Sequence, residues 1–183
     1  MKCSMLRYLD LSILNTSHVT YMDYIFFGFC SLKEIKGINQ FDTRNVKSMA
    51  CMFNDCLSLE YLDLSGFKTS NFYNVEEMFY NCSSLKEIKG INKFDTSKII
   101  NMKNMFKYCK ELKNLDLSNF NASHHLKKIN KMFYGCENLE YLNLSNFKLP
   151  KNCEHEKIFS SPIKFELIKD YNSIKNPNNC IIN

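Results

Sequence analysis

Five cysteines recur almost metronomically: Cys30, Cys56, Cys82, Cys109 and Cys136 stand at nearly equal intervals along the chain. Thiols in such a series can pair as disulfides or fill a core. Disulfides need Cα atoms within about 7 Å and correctly aimed side chains, and five thiols in a row cannot all pair. A free thiol is otherwise a small apolar group and among the most buried side chains. The series therefore predicts a column of buried, reduced thiols. Cys3, Cys51, Cys153 and Cys180 fall outside it. The group Cys153-Glu154-His155-Glu156 offers thiolate, imidazole and carboxylates, but it lacks the paired spacing of a zinc site and the second histidine of H-E-x-x-H. His124-His125 sits where one repeat has an additional residue, which marks a surface loop. There is no G-x-S-x-G, G-x-x-x-x-G-K-[ST] or G-x-G-x-x-G, and five glycines give a phosphate-cradling loop little material. The reading is therefore of a non-enzymatic chain without cofactor or metal. N-x-[ST] sequences at Asn15, Asn81, Asn121 and Asn143 are about as frequent as chance makes them in so Asn-rich a chain.

The elements that carry these residues are repeats. Leu6, Leu32, Leu59, Leu85, Leu112 and Leu139 open six units of nearly constant length. Each unit begins with alternation, as in Tyr61-Leu62-Asp63-Leu64-Ser65, the period of a strand with one buried face. The period then changes to three and four. Val46, Met49, Met52, Phe53 and Cys56, like Ile99, Met102, Met105, Phe106 and Cys109, read as one stripe of a helix. Thr43, or Thr96 with Ser97, stands where a helix N-cap belongs. A strand and helix of this size cannot bury an apolar face alone, whereas stacked copies share a continuous core. The expected fold is an α/β solenoid, with a parallel sheet on the concave face and one helix per coil on the convex face. Phe53, Phe79, Phe106 and Phe133, with Phe27 as first member, form one expected core column. Phe41, Phe67, Phe94, Phe120 and Phe147 form another.

The segments "LEYLDLSGF", "LKNLDLSNF" and "LEYLNLSNF", with "FDTS" between them and the "MFNDC", "MFYNC", "MFKYC" and "MFYGC" endings, resemble the BspA-type leucine-rich-repeat surface proteins, including the repeats of mycoplasma lipoproteins. The resemblance spans about residues 6 to 159. It implies a curved leucine-rich-repeat solenoid that binds proteins or surfaces on the outside of a cell, commonly behind an export signal or membrane anchor. Neither is visible in this sequence, which makes the cytoplasm the alternative location.

A second, two-unit period overlies the first, because residues 32–39 and 85–92 both read "LKEIKGIN" while the other units carry L-[DN]-L-S. The fourth position after each opening leucine is Asp10, Lys36, Asp63, Lys89, Asp116 and then Asn143. On an in-register parallel sheet these neighbours lie about 4.8 Å apart, so opposite charges alternate and favour correct coil order. The adjoining column, Tyr8, Glu34, Tyr61, Glu87, Asn114 and Tyr141, is the stronger candidate for partner binding, since exposed tyrosine gives contact area at low entropy cost. Both columns are assigned to the concave face.

The chain has 183 residues, 45% hydrophobic and 23% charged, which fits one globular domain. No apolar run reaches the roughly 18 residues of a membrane span. The net charge of +5 is spread thinly, so no nucleic-acid footprint appears. Residues 1–5 form a lead too short to cap the first coil, residues 6–149 hold five to six coils, and residues 150–183 form a degenerate cap and a loose tail. Ile158, Phe159, Ile163, Phe165, Leu167 and Ile168 are expected to cover the last coil. The leading expectation is a module that binds a protein or cell-surface partner. The alternative is a scaffold segment that works through its ends, including self-association through the uncapped first coil.

Overall fold

The computed structural model describes residues 5–122, 124–160 and the strand at 168–169. Within it, the alternating segments form short strands: β1 (Tyr8–Asp10), β2 (Glu34–Lys36), β3 (Tyr61–Asp63), β4 (Glu87–Lys89), β5 (Asn114–Asp116), β6 (Tyr141–Asn143) and β7 (Ile168–Lys169). Ile35, Leu62, Ile88, Leu115 and Leu142, the middle residues, turn inward and are buried. All pairing is parallel, with β1 on β2, β3 on β4, and β5 on β6 on β7. The strand side is thus a series of small sheets, since β2 and β3 lie in different sheets, as do β4 and β5. Each pair joins neighbouring repeats, which gives the two-unit period of the sequence a structural meaning.

The strands stop after three residues for identifiable reasons. Asp10, Asp63, Asp116 and Asn143 accept a hydrogen bond from the backbone N–H two residues on, at 2.9–3.2 Å, and so turn the chain. After β2 and β4 the turn is made by Gly37 at φ 80° and Gly90 at φ 86°, each followed by a short 3-10 helix at Ile38–Gln40 and Ile91–Lys93. A Cβ on Gly37 would lie 2.5 Å from the Ser12 backbone nitrogen, and one on Gly90 would lie 2.5 Å from the Ser65 Cα. Glycine here lets one repeat press its backbone onto the previous one.

The expected convex helices are absent among the described residues. Val46, Met49, Met52, Phe53 and Cys56 are buried as the stripe required, but the backbone that carries them is a run of tight turns, not a helix. Met52, Asn54 and Cys56 donate their N–H groups to the carbonyls three residues back. Between those turns the chain enters the left-handed region, at Cys51 (φ 56°) and Asp55 (φ 62°) in this repeat. The row recurs at Tyr24, Glu77, Asn104, Lys131 and Lys157, with φ between 49° and 61°. An α-helix cannot pass through such residues. Turns of three to four residues bury the same positions as a helix of about 3.6 per turn, so the apolar spacing is identical in the two cases.

What the turns cannot satisfy internally goes to the next repeat. Met49, Cys51, Phe53 and Asp55 donate to the carbonyls of Asn74, Glu76, Met78 and Tyr80 at 2.9–3.1 Å. Single bridges continue this second ladder from Tyr21 through Ser48, Asn74, Asn101 and Lys128 to Glu154. The threonines assigned to helix caps serve the stack instead. Thr43 Oγ1 donates to the Lys68 carbonyl (3.0 Å) and accepts from the Lys68 N–H (2.7 Å). Thr16, Thr69 and Thr96 do the same toward Asp42, Asp95 and Asn121.

Between the two ladders run the aromatic columns. Phe26, Phe53, Phe79, Phe106, Phe133 and Phe159 stack with centroids 5.4–5.8 Å apart and planes within 16°. The first member is Phe26 and not Phe27, which is 45% exposed. The first two turn segments, paired as Tyr21 with Ser48, stand one position further apart in the chain than their strands, paired as Tyr8 with Glu34. Phe41, Phe67, Phe94, Phe120 and Phe147 are all buried. Each such ring contributes about 1.5–3 kcal/mol by burial. Of the residues expected over the last coil, Ile158 is buried and Phe159 partly so. Ile163, Phe165 and Leu167 and the tail beyond 169 lie outside the described residues. Ile168 opens β7, which covers β6.

These turns generate opposite expectations for two substitutions. Gly90→Ala should lose about 2–4 kcal/mol, from the positive φ and the collision with Ser65. Lys131→Gly, at φ 56°, should gain about 1 kcal/mol by relieving the left-handed conformation. Urea unfolding of both variants measures the difference, and a loss of stability in Lys131→Gly would contradict the turn assignment.

Candidate functional site

The strand side brings the two sequence columns together in the expected register: Tyr8 beside Glu34, Asp10 beside Lys36, Tyr61 beside Glu87, Asp63 beside Lys89, Asn114 beside Tyr141 and Asp116 beside Asn143. Because the middle residue of each strand points inward, the flanking residues of both columns face out. Tyr8 is 64% and Tyr61 59% exposed, while Tyr141 is half-buried.

The charged column is broken into pairs. Lys36 Nζ lies 2.9 Å from Asp10 Oδ2, and Lys89 Nζ lies 3.0 Å from Asp63 Oδ2. Among the described residues no ion pair joins Lys36 to Asp63 or Lys89 to Asp116. The carboxylates also close their own turns. Asp10 accepts from both the N–H and the hydroxyl of Ser12, at 3.0 and 2.6 Å. Those bonds, and then Lys36, hold its carboxyl well below the usual range, and Ser65 with Lys89 lowers that of Asp63. Asp10, in turn, raises the Lys36 ammonium. The Asp/Asn-x-Ser spacing that could have revealed these turns is written in each L-[DN]-L-S motif. Sequence reasoning also missed Lys86, which pairs with Glu60 at 2.6 Å and stands 5.9 Å from the Tyr61 ring centre.

The turn side carries a different constellation. Tyr80, Tyr108 and Tyr134 meet edge to face at 5.8 and 5.9 Å, and Lys107 Nζ lies 5.3, 4.8 and 5.8 Å from their ring centres. Burial lowers the Lys107 ammonium and raises the Tyr80 hydroxyl. Gly135 makes room for this cluster, since a Cβ there would collide with the Tyr108 ring. Nearby, the Glu77 carboxylate accepts from Asn54 Nδ2 at 3.0 Å and Asn104 Nδ2 at 2.9 Å. These groups tie adjacent repeats together.

Among the described residues the thiols are free, and their column holds Cys56, Cys82, Cys109 and Cys136. Cys30 is not a member. The longer first step of the turn side places Phe29 at that position in the first repeat, edge-on to Phe26, and Cys30 is half-buried beside it. Phe29 thus covers the first ring of the stack. Each column thiol donates to a phenylalanine carbonyl one repeat back: Cys56 to Phe26, Cys82 to Phe53, Cys109 to Phe79 and Cys136 to Phe106, at 3.0–3.2 Å. The same carbonyls accept the N–H that closes their own turn. Burial pushes Cys56 and Cys136 up to about 12 and Cys82 and Cys109 well above the ordinary thiol value.

His155 Nδ1 is 2.7 Å from the Cys153 carbonyl, and the Cys153 thiol is buried. Among the described residues no three His, Cys, Asp or Glu side chains gather as metal ligands do. His124 and His125 are exposed neighbours with ring centres 3.8 Å apart. No helix among the described residues is long and apolar enough to cross a membrane.

A family model described as "Mycoplasma protein of unknown function, DUF285" matches the chain twice, over residues 1–89 and 83–179. No curated protein and no solved structure matches it.

Two measurements test this geometry. Without reductant, alkylation should leave the four column thiols unlabelled in the folded protein and label all four after denaturation; a disulfide among them would refute the arrangement. Because burial raises their folded-state pKa above the ordinary value near about 8.5, the column favours folding below that pH and loses its contribution as pH rises toward about 12. Separately, replacing Lys36 and Lys89 together by Asp should lower the urea midpoint, and the loss should shrink when salt rises from roughly 0.02 to 0.5 M. A salt-independent loss would mean that the pairs stabilise by packing alone.

Proposed function

This chain belongs to the Mycoplasma protein family DUF285, and we propose that it is a non-enzymatic interaction module that holds a protein or cell-surface partner against its strand side. The observation that carries this reading is the repeated outward group: Tyr8 with Glu34 above Asp10–Lys36, and again Tyr61 with Glu87 above Asp63–Lys89. Tyrosines exposed by 64% and 59% are unusual beside a core in which phenylalanines recur at 0–6%. Such rings, pre-positioned on a rigid ladder and rimmed by paired charges, suit recognition because little freedom is lost when they are covered.

In this reading the stacked repeats form a leucine-rich solenoid of the BspA kind, the strands lie on its concave side, and the molecule works in adhesion at a cell surface. The paired charges fix the strands and tune the rim, while the tyrosines supply the contact. A second reading, a scaffold segment of a longer repeat array, is favoured by the apolar exposure of the first repeat. There Ile13 is 95%, Leu14 53%, Phe27 45% and Ile25 41% exposed.

Replacing Tyr8 and Tyr61 together by Ala separates the two readings. Both side chains point outward, so the fold should persist in circular dichroism and thermal unfolding. Capture of cell-surface proteins by the immobilised chain, quantified by mass spectrometry, should fall more than about tenfold, equivalent to about 1.4 kcal/mol. Undiminished capture by the double variant would overturn the strand-side reading.

A further inference from the structure

The turn ladder has a direction. At each step the N–H groups of one repeat donate to carbonyls of the next: Met22, Tyr24, Phe26 and Gly28 to Ser48, Ala50, Met52 and Asn54, at 2.8–3.0 Å. Three steps later Met102, Asn104, Phe106 and Tyr108 donate to Lys128, Asn130, Met132 and Tyr134, and Ile129, Lys131 and Phe133 donate to Glu154, Glu156 and Ile158. Bonds running back are confined to the start of each step, such as that from the Tyr73 N–H to the Lys47 carbonyl at 2.8 Å.

The two ends of this ladder are consequently unlike. In the first repeat the carbonyls of Tyr21, Asp23, Ile25 and Phe27 occupy the accepting row and receive no backbone donor among the described residues. In the sixth, the N–H groups of His155, Lys157 and Phe159 occupy the donating row and have no backbone acceptor among the described residues. An ordinary strand edge alternates donors and acceptors and would match only part of the first edge. A second first edge would set carbonyl against carbonyl. A donor row of matching spacing comes from a turn segment that passes through the left-handed region at the same places, and Lys157, at φ 49°, belongs to that row together with Tyr24.

We propose that the first repeat's turn edge binds the sixth repeat of a second copy of this chain, head to tail, by continuing the ladder. In that arrangement His155, Lys157 and Phe159 of one copy donate to the first-repeat carbonyls of the next. The Lys157 side chain, itself exposed, falls in the column of Tyr24, whose ring is 59% exposed, as a cation over an aromatic face. Ile25 and Phe27, exposed by 41% and 45%, become covered. The contact is heterologous, so it adds copies in one direction without closing into a two-fold dimer. It uses a surface other than the strand side, and its outcome is independent of partner capture there.

The test is sedimentation velocity of the full chain over about a hundredfold range of concentration, with two variants. Ile25→Asp with Phe27→Asp blocks the first edge, and Lys157→Asp places a carboxylate before the carbonyl row at a position whose backbone Asp tolerates. Both alter exposed side chains, and circular dichroism checks that the fold is kept. The expected result is open-ended association of the native chain, at least tenfold weaker association of each variant alone, and recovery of a species that stops at the dimer when the two variants are mixed. A native chain that is monomeric at every concentration would overturn the proposal. So would a closed dimer indifferent to both variants, or a mixture that fails to associate.

Discussion

Everything in this structure depends on the requirement that buried backbone groups find partners, and on the fact that a repeat this short cannot supply its own. Strands of three residues and turns interrupted by left-handed residues leave most peptide groups unsatisfied within the repeat. They are satisfied one repeat away, through the parallel strand pairs on one side and the turn ladder on the other. Side chains that act toward backbone belong to the same device. The Thr16, Thr43, Thr69 and Thr96 hydroxyls each accept an N–H and donate to a carbonyl, as a peptide group would, while the column thiols supply the second donor to the phenylalanine carbonyls. A hydroxyl and a thiol are uncharged donors small enough for a core, which is why these residue types recur where an amine or carboxylate would demand solvation.

This constraint also shapes the surface. Because β1–β2 and β3–β4 are hydrogen-bonded as separate pairs and β5–β6–β7 as a separate triplet, the outward tyrosines and charges come in groups and not as one uninterrupted stripe. Closely fitted glycines join repeats both within and between these groups: Gly37 seats against Ser12 and Gly90 against Ser65, each within its own pair, while Gly66 seats against the Asn39 carbonyl across the break between β2 and β3. In the first four repeats the unit that is duplicated in the sequence is the unit that is joined in the sheet.

Much of this was legible in the residues. The repeat boundaries, the strand register, the outward Tyr and Asp/Lys columns and the buried Phe, Met and Cys positions all follow from periodicity. What periodicity could not distinguish was the backbone under the apolar stripe. Met49, Met52, Phe53 and Cys56 mark one face of a helix and one face of a turn ladder alike, because both return to the core every three to four residues. The deciding residues include Cys51, Glu77 and Lys131, whose positive φ carries no compositional signal, since glycine and asparagine are the types that normally announce it. The first repeat misled for another reason. Its turn segment follows its strand one residue sooner than in the second repeat, so Phe27 and Cys30 look like column members while Phe26 and Phe29 occupy the places.

The one-way turn ladder has an electrical consequence. In an ordinary sheet the peptide dipoles of neighbouring groups alternate and nearly cancel. Here most of the turn-side dipoles point the same way along the stack, from Met22 to Ile158, and they add as they do along a helix. The stack is thus polarised along its length, with fractional negative charge at the first-repeat carbonyls and fractional positive charge at the sixth-repeat N–H groups. Basic groups are favoured near the former and acidic groups near the latter, a preference that no single repeat possesses and that only the assembled row creates.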